Sequence, residues 1–269
     1  MNSRSGRRDQ VIAEMGLGPV WNKRRQAGDP AADASAAQQP DLLAPVEDAP
    51  SMRVAEAQAS SAIHLEAPPA APPADEVARM DWEALQQAVA GCVKCRLCET
   101  RNKTVFGVGD PKAKWMFIGE GPGRNEDLQG IPFVGPAGKL LDNMLLAMGL
   151  SRSENAYIAN VVKCRPTDEN GRDRAPTPDE AGACMPYLQR QIELVRPAVL
   201  VALGKTAAVS LLALPADSPV GKLRGQVFHY RDLPLVVTYH PAYLLRRLAD
   251  KGKSWADLCL AMNAYAGQH

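Results

Sequence analysis

The pattern of hydrophobic positions changes from irregular to periodic at about Trp82. Beyond that residue, four short apolar runs indicate buried strands, and helical patterns lie between and after them. The predicted strands are 115–118, 157–162, 198–203 and 235–239, and the predicted helices are 137–148, 178–195, 206–212 and 254–265. Strands that alternate with helices predict a parallel sheet with helices on both faces. We therefore expect a three-layer α/β/α domain with a central four-stranded parallel sheet over residues 79–269.

The first 78 residues lack this periodicity. Residues 28–75 contain 15 Ala and 8 Pro and no aromatic residue, so they bury too little apolar surface to offset chain entropy. We expect a disordered linker over residues 28–78. Residues 1–27 mix Lys and Arg with apolar positions, which suits a basic segment with a short amphipathic helix. A nascent helix without a partner and a docking or DNA-contacting element both remain open, and the sequence does not identify the partner of this arm.

The net charge of +1 conceals three segments of different sign. Residues 1–27 carry +4, residues 28–75 carry −7 and residues 76–269 carry +4. No apolar run reaches membrane-spanning length, and the N-terminus lacks the apolar segment of a signal peptide. We expect a soluble cytoplasmic protein that is monomeric and has no membrane partner.

Polar and glycine residues follow each predicted strand. Gly119-Glu120-Gly121 follows the first strand, Asn160 lies near the end of the second, and His240 follows the fourth. Parallel sheets bind ligands outside the carboxyl ends of their strands. The sequence therefore predicts a binding site at this edge of the sheet.

Two segments resemble nucleotide-binding motifs, but each lacks a glycine that its motif requires. A G-x-G-x-x-G motif that starts at Gly119 has Arg124 in place of its third glycine. The LGKT run resembles the end of a phosphate-binding loop, but Val199 stands where that loop needs glycine. Dinucleotide binding and ATP hydrolysis are therefore poor interpretations.

Five cysteines form a metal-ligand pattern. Cys92, Cys95 and Cys98 form C-x2-C-x2-C, and Cys164 and Cys184 lie downstream. In a reducing compartment, clustered cysteines are more typical of metal or catalytic sites than of disulfides. No His lies at ligand spacing, so an all-thiolate site is expected, which fits either zinc or an iron–sulfur cluster. Spacing alone does not choose between these, nor between the two overlapping C-x2-C pairs.

Four segments together resemble the family-4 uracil-DNA glycosylases, the iron–sulfur type of the uracil-DNA glycosylase superfamily. They occur in the order expected for the family, between about residues 85 and 265. The segments are GEGPGRNEDLQGIPFVGPAGKLLDNML, YIANVVKCRP, APTPDEAGAC and YHPAYLLRR. The resemblance implies a nucleoid-associated repair enzyme that flips uracil out of single- or double-stranded DNA. Hydrolysis of the N-glycosidic bond would then leave an abasic site.

The resemblance also implies a [4Fe-4S] cluster. Its ligands would be Cys92, Cys95, Cys164 and Cys184, with Cys98 as a spare thiol. Cys259 lies on the apolar face of the last predicted helix, where a buried structural thiol is expected.

A uracil pocket needs a stacking platform, a reader of the N3–H/O4 edge and a donor to O2. Phe133 lies among Gly and Pro, where core packing is less typical, and we assign it to stacking. Asn160 lies in an apolar run, where an unsatisfied carboxamide is costly, and it is expected to read uracil and reject cytosine. Following the family, His240 is assigned to hydrogen-bond O2 of the departing base.

The glycine loop after the first predicted strand is expected to bring its backbone close to the base. The resemblance assigns uracil contacts to Gly119, Glu120 and Gly121, because glycine permits a close backbone approach. Glu120 is our candidate for positioning the attacking water. Glu126 and a largely dissociative reaction without such a group stay open as alternatives.

An apolar wedge flanked by arginines, and two further basic residues, are expected to contact DNA. The alternatives are a helix start in which Leu245 packs on the body and a solvated hairpin at residues 222–226. The predicted DNA contacts are Tyr243, Leu244, Arg246, Arg247, Lys222 and Arg224.

Two rival functions remain. A relative that traps uracil-DNA covalently would need a basic, His-containing loop after the second strand, and the loop TDENGRDRAPTP has no His. A non-catalytic, metal-stabilised DNA-binding module is compatible with the cysteines and basic loops alone.

Overall fold

A computed structural model of the chain describes residues 74–267. The predicted basic segment 1–27 and nearly all of the predicted linker 28–78 lie outside these residues, so both remain predictions. The described part begins with helix α1, Ala74–Val77, and the side chain of Val77 is buried in the hydrophobic core. The predicted boundary at residue 78 therefore falls inside the folded domain.

The described residues contain one sheet of six strands. The strands are β1 (Val108–Gly109), β2 (Trp115–Gly119), β3 (Ala156–Asn160), β4 (Val199–Leu203), β5 (Val227–Tyr230) and β6 (Leu233–Thr238). Their order across the sheet is β1-β3-β2-β4-β6-β5. The central strands β3, β2, β4 and β6 are mutually parallel, which confirms the predicted four-stranded parallel sheet.

The two edge strands are antiparallel and were not predicted. β1 has only two residues, and a Cβ on Gly109 would lie 2.2 Å from the carbonyl oxygen of Ala156, so only glycine permits this pairing. β5 pairs with β6, and three of its four residues are partly or fully exposed. Strands this short or this exposed give little hydrophobic pattern in the sequence.

Nine further α-helices surround the sheet in the described part of the chain. They are α2 (Trp82–Ala90), α3 (Leu97–Thr100), α4 (Arg124–Gln129), α5 (Pro136–Ala147), α6 (Pro178–Val195), α7 (Lys205–Leu212), α8 (Val220–Leu223), α9 (Pro241–Arg246) and α10 (Lys251–Ala266). The long helix α6 starts with a reciprocal capping box between Thr177 and Glu180 and has Pro178 in its first turn. None of the described helices is long and apolar enough to cross a membrane.

The alternation of side chains along the strands creates two hydrophobic layers. Trp115 and Phe117 of β2 belong to a cluster that contains Leu141 of α5. Met116 lies on the opposite face, in a cluster that contains Leu188 of α6. Helices therefore cover both faces, as the three-layer prediction requires.

The register of the central strands aligns the ends that carry the predicted site. Gly119 of β2 pairs directly with Asn160 of β3. The segments that follow β2 and β3 remain hydrogen-bonded to each other beyond the strands. Val161 N–H donates to Gly119 O at 3.0 Å, and Val162 N–H donates to Glu120 O at 3.1 Å. The glycine loop and Asn160 are thus neighbours at the carboxyl edge of the sheet.

Candidate active site

One open cleft, the strand-end cleft, lies at the carboxyl ends of the parallel strands. Its volume is about 500 Å³, and it is bounded by the loops that follow β2, β3 and β6. Five of the predicted substrate-binding residues line it, namely Glu120, Gly121, Phe133, Asn160 and His240. The structure therefore brings together residues that span 120 positions of the sequence.

Asn160 is buried at the floor of this cleft. Its side chain has an exposed fraction of 2%, and Oδ1 has no hydrogen-bond partner among the described residues. A Cβ on Gly119 would lie 2.5 Å from Oδ1 and 2.6 Å from Cζ of Phe133. Because only glycine leaves this space free, Gly119 permits the close arrangement of Asn160 and Phe133.

Phe133 is both a core residue and a lining residue of the cleft. It is 6% exposed, and its backbone lies in the left-handed region with φ of 55°. Its ring stacks against His240, with 5.5 Å between ring centroids and 29° between the planes. Non-glycine residues held in this region are uncommon and are concentrated at functional sites.

His240 is the N-cap of α9, and its surroundings fix its protonation. Nδ1 accepts a hydrogen bond from Ala242 N–H at 3.2 Å, so the proton of the neutral ring lies on Nε2. Burial, reinforced by Arg246, lowers the pKa of His240 to about 4, and Glu126 acts weakly in the opposite direction. At neutral pH, His240 is therefore an uncharged donor through Nε2.

The two glutamates proposed for the attacking water differ in their contacts. Glu120 accepts a hydrogen bond from the Thr206 hydroxyl through Oε2. Glu126 uses Oε1 to accept the N–H groups of Val134, at 2.9 Å, and Gly135, at 3.1 Å. Glu126 therefore supports the Phe133 loop through Oε1, whereas Glu120 contacts Thr206, and each glutamate has a second carboxylate oxygen without a hydrogen bond among the described residues.

A second cavity, the cysteine cavity, is much tighter, with a volume of about 10 Å³. The five clustered cysteines all line it, namely Cys92, Cys95, Cys98, Cys164 and Cys184. All of them are free thiols. Among the described residues, no three His, Cys, Asp or Glu side chains are arranged to hold a single metal ion.

Cationic and N–H donors point toward the sulfur atoms of this cavity. Arg101 donates to Cys164 Sγ at 3.3 Å and to the carbonyl oxygen of Cys92 at 2.6 Å. The backbone N–H of Lys163 donates to Cys184 Sγ at 3.3 Å. Burial raises the pKa of Cys164 to about 11 and that of Cys184 to about 12, although Arg101 and Lys163 respectively oppose the shift.

Tyr187 adds an unsatisfied group to the cysteine cavity. Its side chain lines the cavity and is fully buried, and its hydroxyl has no hydrogen-bond partner among the described residues. Burial and the neighbouring Cys92 raise the pKa of Tyr187 above its ordinary value. The cavity thus combines several thiols with donors directed at sulfur, a donor set that fits a thiolate-bound cluster.

Cys98 and Cys259 differ from the four predicted ligands. Cys92 and Cys95 pack against the hydrophobic cluster that contains Cys164 and Cys184. Cys98 is half-buried and donates its backbone N–H to Cys95 O at 3.2 Å. Cys259 of α10 is half-buried, so its prediction as a fully buried thiol is wrong.

In the predicted apolar wedge, the leucine expected to be exposed is buried, and the neighbouring leucine is exposed. Leu244 is 1% exposed and packs inside, whereas Leu245 is 41% and the following Leu248 63% exposed. The prediction of Leu244 as a DNA-inserting residue is therefore wrong, because α9 directs it inward. Tyr243 is half-buried and donates its hydroxyl to Asp250 at 2.7 Å, whereas Arg246 is exposed.

The two predicted DNA contacts after α7, Lys222 and Arg224, have different surroundings in the structure. Arg224 makes a bidentate ion pair with the buried Asp257, at 3.0 and 2.9 Å, and its guanidinium lies over the ring of Tyr239. Arg224 is therefore committed within the fold, contrary to its prediction as a DNA contact. Lys222 is exposed and lies in the short helix α8 rather than in a hairpin.

Sequence reasoning missed a buried lysine between the two cavities. Lys163 is 1% exposed, and Nζ donates to Asn160 O at 2.8 Å and to Gln191 Oε1 at 2.6 Å. Burial lowers the pKa of Lys163 to about 8, and Cys184 and Cys164 oppose this shift. The only sequence signal was its place directly after the apolar run that contains Asn160.

Asp127 is a second missed connection. It is fully buried and accepts from the backbone N–H of Asn102 at 2.9 Å and from Asn102 Nδ2 at 2.5 Å. It thereby ties α4, beside the strand-end cleft, to the segment that follows the cysteine motif. No local pattern in the sequence distinguishes it from an ordinary acidic residue in the first turn of a helix.

The fold and the cleft agree with a comparison to family models. The model described as the uracil DNA glycosylase superfamily matches residues 106–260, more than half of the chain. The matched segment contains all four parallel strands and the residues that line the strand-end cleft. The class of the protein is thus that of the uracil-DNA glycosylase fold.

Comparison with individual proteins narrows this class. The chain is 45% identical to the type-4 uracil-DNA glycosylase of Archaeoglobus fulgidus over 165 residues, which cover 59% of this chain and 80% of that protein. It is 38% identical to the type-4 enzyme of Pyrobaculum aerophilum over 187 residues, 67% and 93% of the two chains. For the type-4 enzyme of Thermotoga maritima the identity is 41% over 170 residues, 63% and 85% of the chains. The chain belongs to the type-4 uracil-DNA glycosylase family, which confirms the resemblance seen in the sequence.

Proposed function

We propose that this protein excises uracil from DNA and leaves an abasic site. The buried, unpartnered Oδ1 of Asn160 carries this proposal. A buried acceptor without a donor is costly, and the N3–H of uracil is a donor that satisfies it while Nδ2 donates to O4. Cytosine presents an acceptor at N3 and a donor at its amino group, so it mismatches both atoms of the carboxamide.

The uracil must leave the base stack to reach this cleft. Extrusion of a nucleotide costs a few kcal/mol, which stacking and edge recognition in the pocket offset. Phe133 supplies the aromatic surface, and its contact with His240 keeps the two rings together. The Gly119–Gly121 backbone permits the close approach of the base.

His240 acts on the charge that develops on uracil as the glycosidic bond breaks. The neutral ring donates Nε2–H to O2 of the departing base, an interaction that strengthens as O2 becomes anionic. Its low pKa keeps the ring uncharged before bond cleavage. The hydrogen bond from Ala242 to Nδ1 fixes the tautomer that this role requires.

Glu120 is our candidate for orienting the water that attacks C1′. The Thr206 hydroxyl fixes one of its oxygens, which leaves the other to accept from a water. Glu126 is less suitable, because its Oε1 accepts two backbone N–H groups of the Phe133 loop. In this assignment Glu126 shapes the pocket and Glu120 contacts the nucleophile.

Cys92, Cys95, Cys164 and Cys184 would hold a [4Fe-4S] cluster in the cysteine cavity. When bound, the cluster supplies a covalent cross-link between distant chain segments. The donors from Arg101 and Lys163 and the unpartnered Tyr187 hydroxyl support a sulfur-rich occupant.

DNA would be held open by the exposed part of α9 and the turn after it. Leu245 and Leu248 present apolar side chains, and the exposed Arg246 and Arg247 lie between them in the sequence. Apolar wedges beside arginines on phosphates are typical of proteins that unstack DNA. Lys222 remains a candidate phosphate contact.

A strand-cleavage assay distinguishes three hypotheses: uracil excision, covalent trapping of uracil-DNA, and DNA binding without catalysis. The protein is incubated with an end-labelled duplex that contains one uracil, and the DNA is then treated with alkali, which breaks abasic sites. We expect a break at uracil and none in a matched thymine duplex. Binding without a break would indicate a non-catalytic module, and DNA cross-linked to protein would indicate covalent trapping.

A further inference from the structure

The Phe133 backbone needs support that its own conformation does not provide. Left-handed φ values are disfavoured for residues with a Cβ, so surrounding contacts must fix this one. The carbonyl group of Phe133 is pressed against α5, where a Cβ on Gly138 would lie 1.7 Å from its oxygen. The carbonyl direction is therefore tightly constrained at this point.

Arg152 contacts this loop from the segment between α5 and β3. Its guanidinium donates to Pro132 O at 2.8 Å through one terminal nitrogen and to Phe133 O through the other. Its Nε donates to Asp142 Oδ1 of α5 at 2.5 Å. One planar group thus holds two successive carbonyls, while Asp142 fixes the orientation of that plane.

A carboxylate holds the N–H groups of the same loop, whereas the Arg152 guanidinium holds its carbonyl groups. Glu126 accepts from Val134 and Gly135, the two residues that follow Phe133. Side chains therefore fix three consecutive peptide groups: the first through its oxygen, the second through both its oxygen and its N–H, and the third through its N–H. Arg152 itself does not line the strand-end cleft, so it does not reach a base bound there.

We propose that Arg152 is a positioning residue of the uracil pocket, which acts by holding Phe133 in its left-handed conformation. This inference rests on the proposed function, since it gives Phe133 the role of uracil platform. Without Arg152, the two carbonyls lose their shared donor and the Phe133 ring shifts relative to Asn160 and His240. Lysine restores only part of this support, because its single ammonium lacks the planar fork that meets Asp142 and both carbonyls.

A double-mutant cycle tests this inference. Single-turnover uracil excision is measured for the wild type, Arg152→Ala, Phe133→Ala and the double variant, with thermal melting of each. The matched control is Arg231→Ala, which removes another arginine–carboxylate pair, with Glu193 at 2.9 Å, away from the cleft. We expect Arg152→Ala to slow excision about 10- to 100-fold, in line with the cost of misplacing a reactive geometry, and Arg231→Ala to leave it unchanged.

The interaction between the two changes decides the result. If Arg152 acts through Phe133, its removal slows the Phe133→Ala protein by no more than about twofold. An equal slowing in both backgrounds, or wild-type excision by Arg152→Ala, overturns the inference. If Arg152→Ala does not fold, the cycle is run with Arg152→Lys under the same criterion. A wild-type protein that leaves uracil-DNA intact overturns the proposed function as well, whereas an active wild type with an unaffected Arg152→Ala overturns this inference alone.

Discussion

At the scale of single residues, the proposed chemistry depends on groups whose surroundings set their state. Asn160 is buried with a free acceptor, and His240 is held neutral with its donor on Nε2. Both features are unfavourable or neutral for stability, and both become useful once a uracil is bound. Conflicts of this kind between folding and local chemistry are expected at functional sites.

Replacing Asn160 should separate activity from stability. Asn160→Ala removes the reader of the N3–H/O4 edge, so we expect excision to slow by about 10²-fold or more. It also removes a buried acceptor that lacks a partner, so the free energy of unfolding should fall by less than about 1 kcal/mol. Single-turnover kinetics and chemical denaturation check the two parts. A large loss of stability would show that Asn160 serves the fold.

His240 should affect the rate of excision more than the binding of DNA. His240→Ala is expected to slow single-turnover excision about 10²- to 10³-fold while changing the Kd for uracil-DNA little, because its hydrogen bond strengthens as the base departs. The wild-type rate should show no His240 titration between about pH 6 and 8, because the pKa of His240 is about 4. A titration in that interval that vanishes in His240→Ala would contradict the assigned neutral state.

The same pKa has a consequence for stability. The pKa of His240 is about 6.5 in the unfolded chain and about 4 in the folded protein. Between about pH 4 and pH 6.5, the unfolded state therefore binds more protons than the folded state. The contribution of His240 to stability is therefore full above about pH 6.5 and is lost as pH falls toward 4.

At the scale of elements, the sequence predicted what local periodicity controls. The four apolar runs gave the central strands, and the rule for parallel sheets gave the edge on which Asn160 and His240 meet. The short helix α9 has only six residues, too few for its hydrophobic period to decide which leucine faces inward. The prediction of Leu244 as the exposed residue failed for that reason.

Long-range pairings were beyond sequence reasoning. Arg224 and Asp257 are 33 positions apart, and their ion pair depends on how α8 and α10 pack around β6. Lys163 likewise appears as an ordinary cation beside Cys164, and only the fold shows that it is buried against Gln191. Such contacts leave no periodic signal in a single sequence.

The two adjacent leucines of α9 should respond differently to truncation. Leu244→Ala empties a buried site and should lower the free energy of unfolding by about 2–4 kcal/mol. Leu245→Ala should change stability by less than about 0.5 kcal/mol and slow excision from duplex DNA. Denaturation and duplex kinetics measure the pair. Unchanged duplex kinetics in Leu245→Ala would remove Leu245 from the proposed wedge.

Loss of the Cys164 thiol should prevent cluster binding, whereas loss of the Cys98 thiol should not. Cys164→Ala removes a proposed ligand, and we expect loss of iron, of visible absorption and of folded yield. Cys98→Ala is the matched control and should retain all three, because Cys98 is the spare thiol in the proposed set. Iron analysis of freshly purified protein makes the comparison. Full iron content in Cys164→Ala would refute the ligand assignment.

At the scale of the whole molecule, charge is unevenly distributed. The near-zero total combines a basic segment, +4 over residues 1–27, an acidic segment, −7 over residues 28–75, and a modestly basic domain, +4 over residues 76–269. A charge this small gives little long-range attraction to DNA, so binding should depend on a few placed cations and on capture of the base.

Removal of residues 1–73 tests this distribution. The described domain begins at Ala74, and the truncated protein should excise uracil at a rate within a few-fold of the full chain. Because the removed part includes both signs of charge, the salt dependence of binding should change little. Kinetics at two salt concentrations measure both effects. Complete loss of excision would mean that the N-terminal arm takes part in the reaction.

The central claim is tested most directly by identifying the released product. A duplex with a single uracil is incubated with wild-type protein and, separately, with Asn160→Ala, and free base is quantified together with abasic sites. We predict that the wild type releases one free uracil per abasic site, spares matched cytosine and thymine duplexes, and is about 10²-fold or more faster than Asn160→Ala. Absence of free uracil, or equal release by the two proteins, would contradict the account.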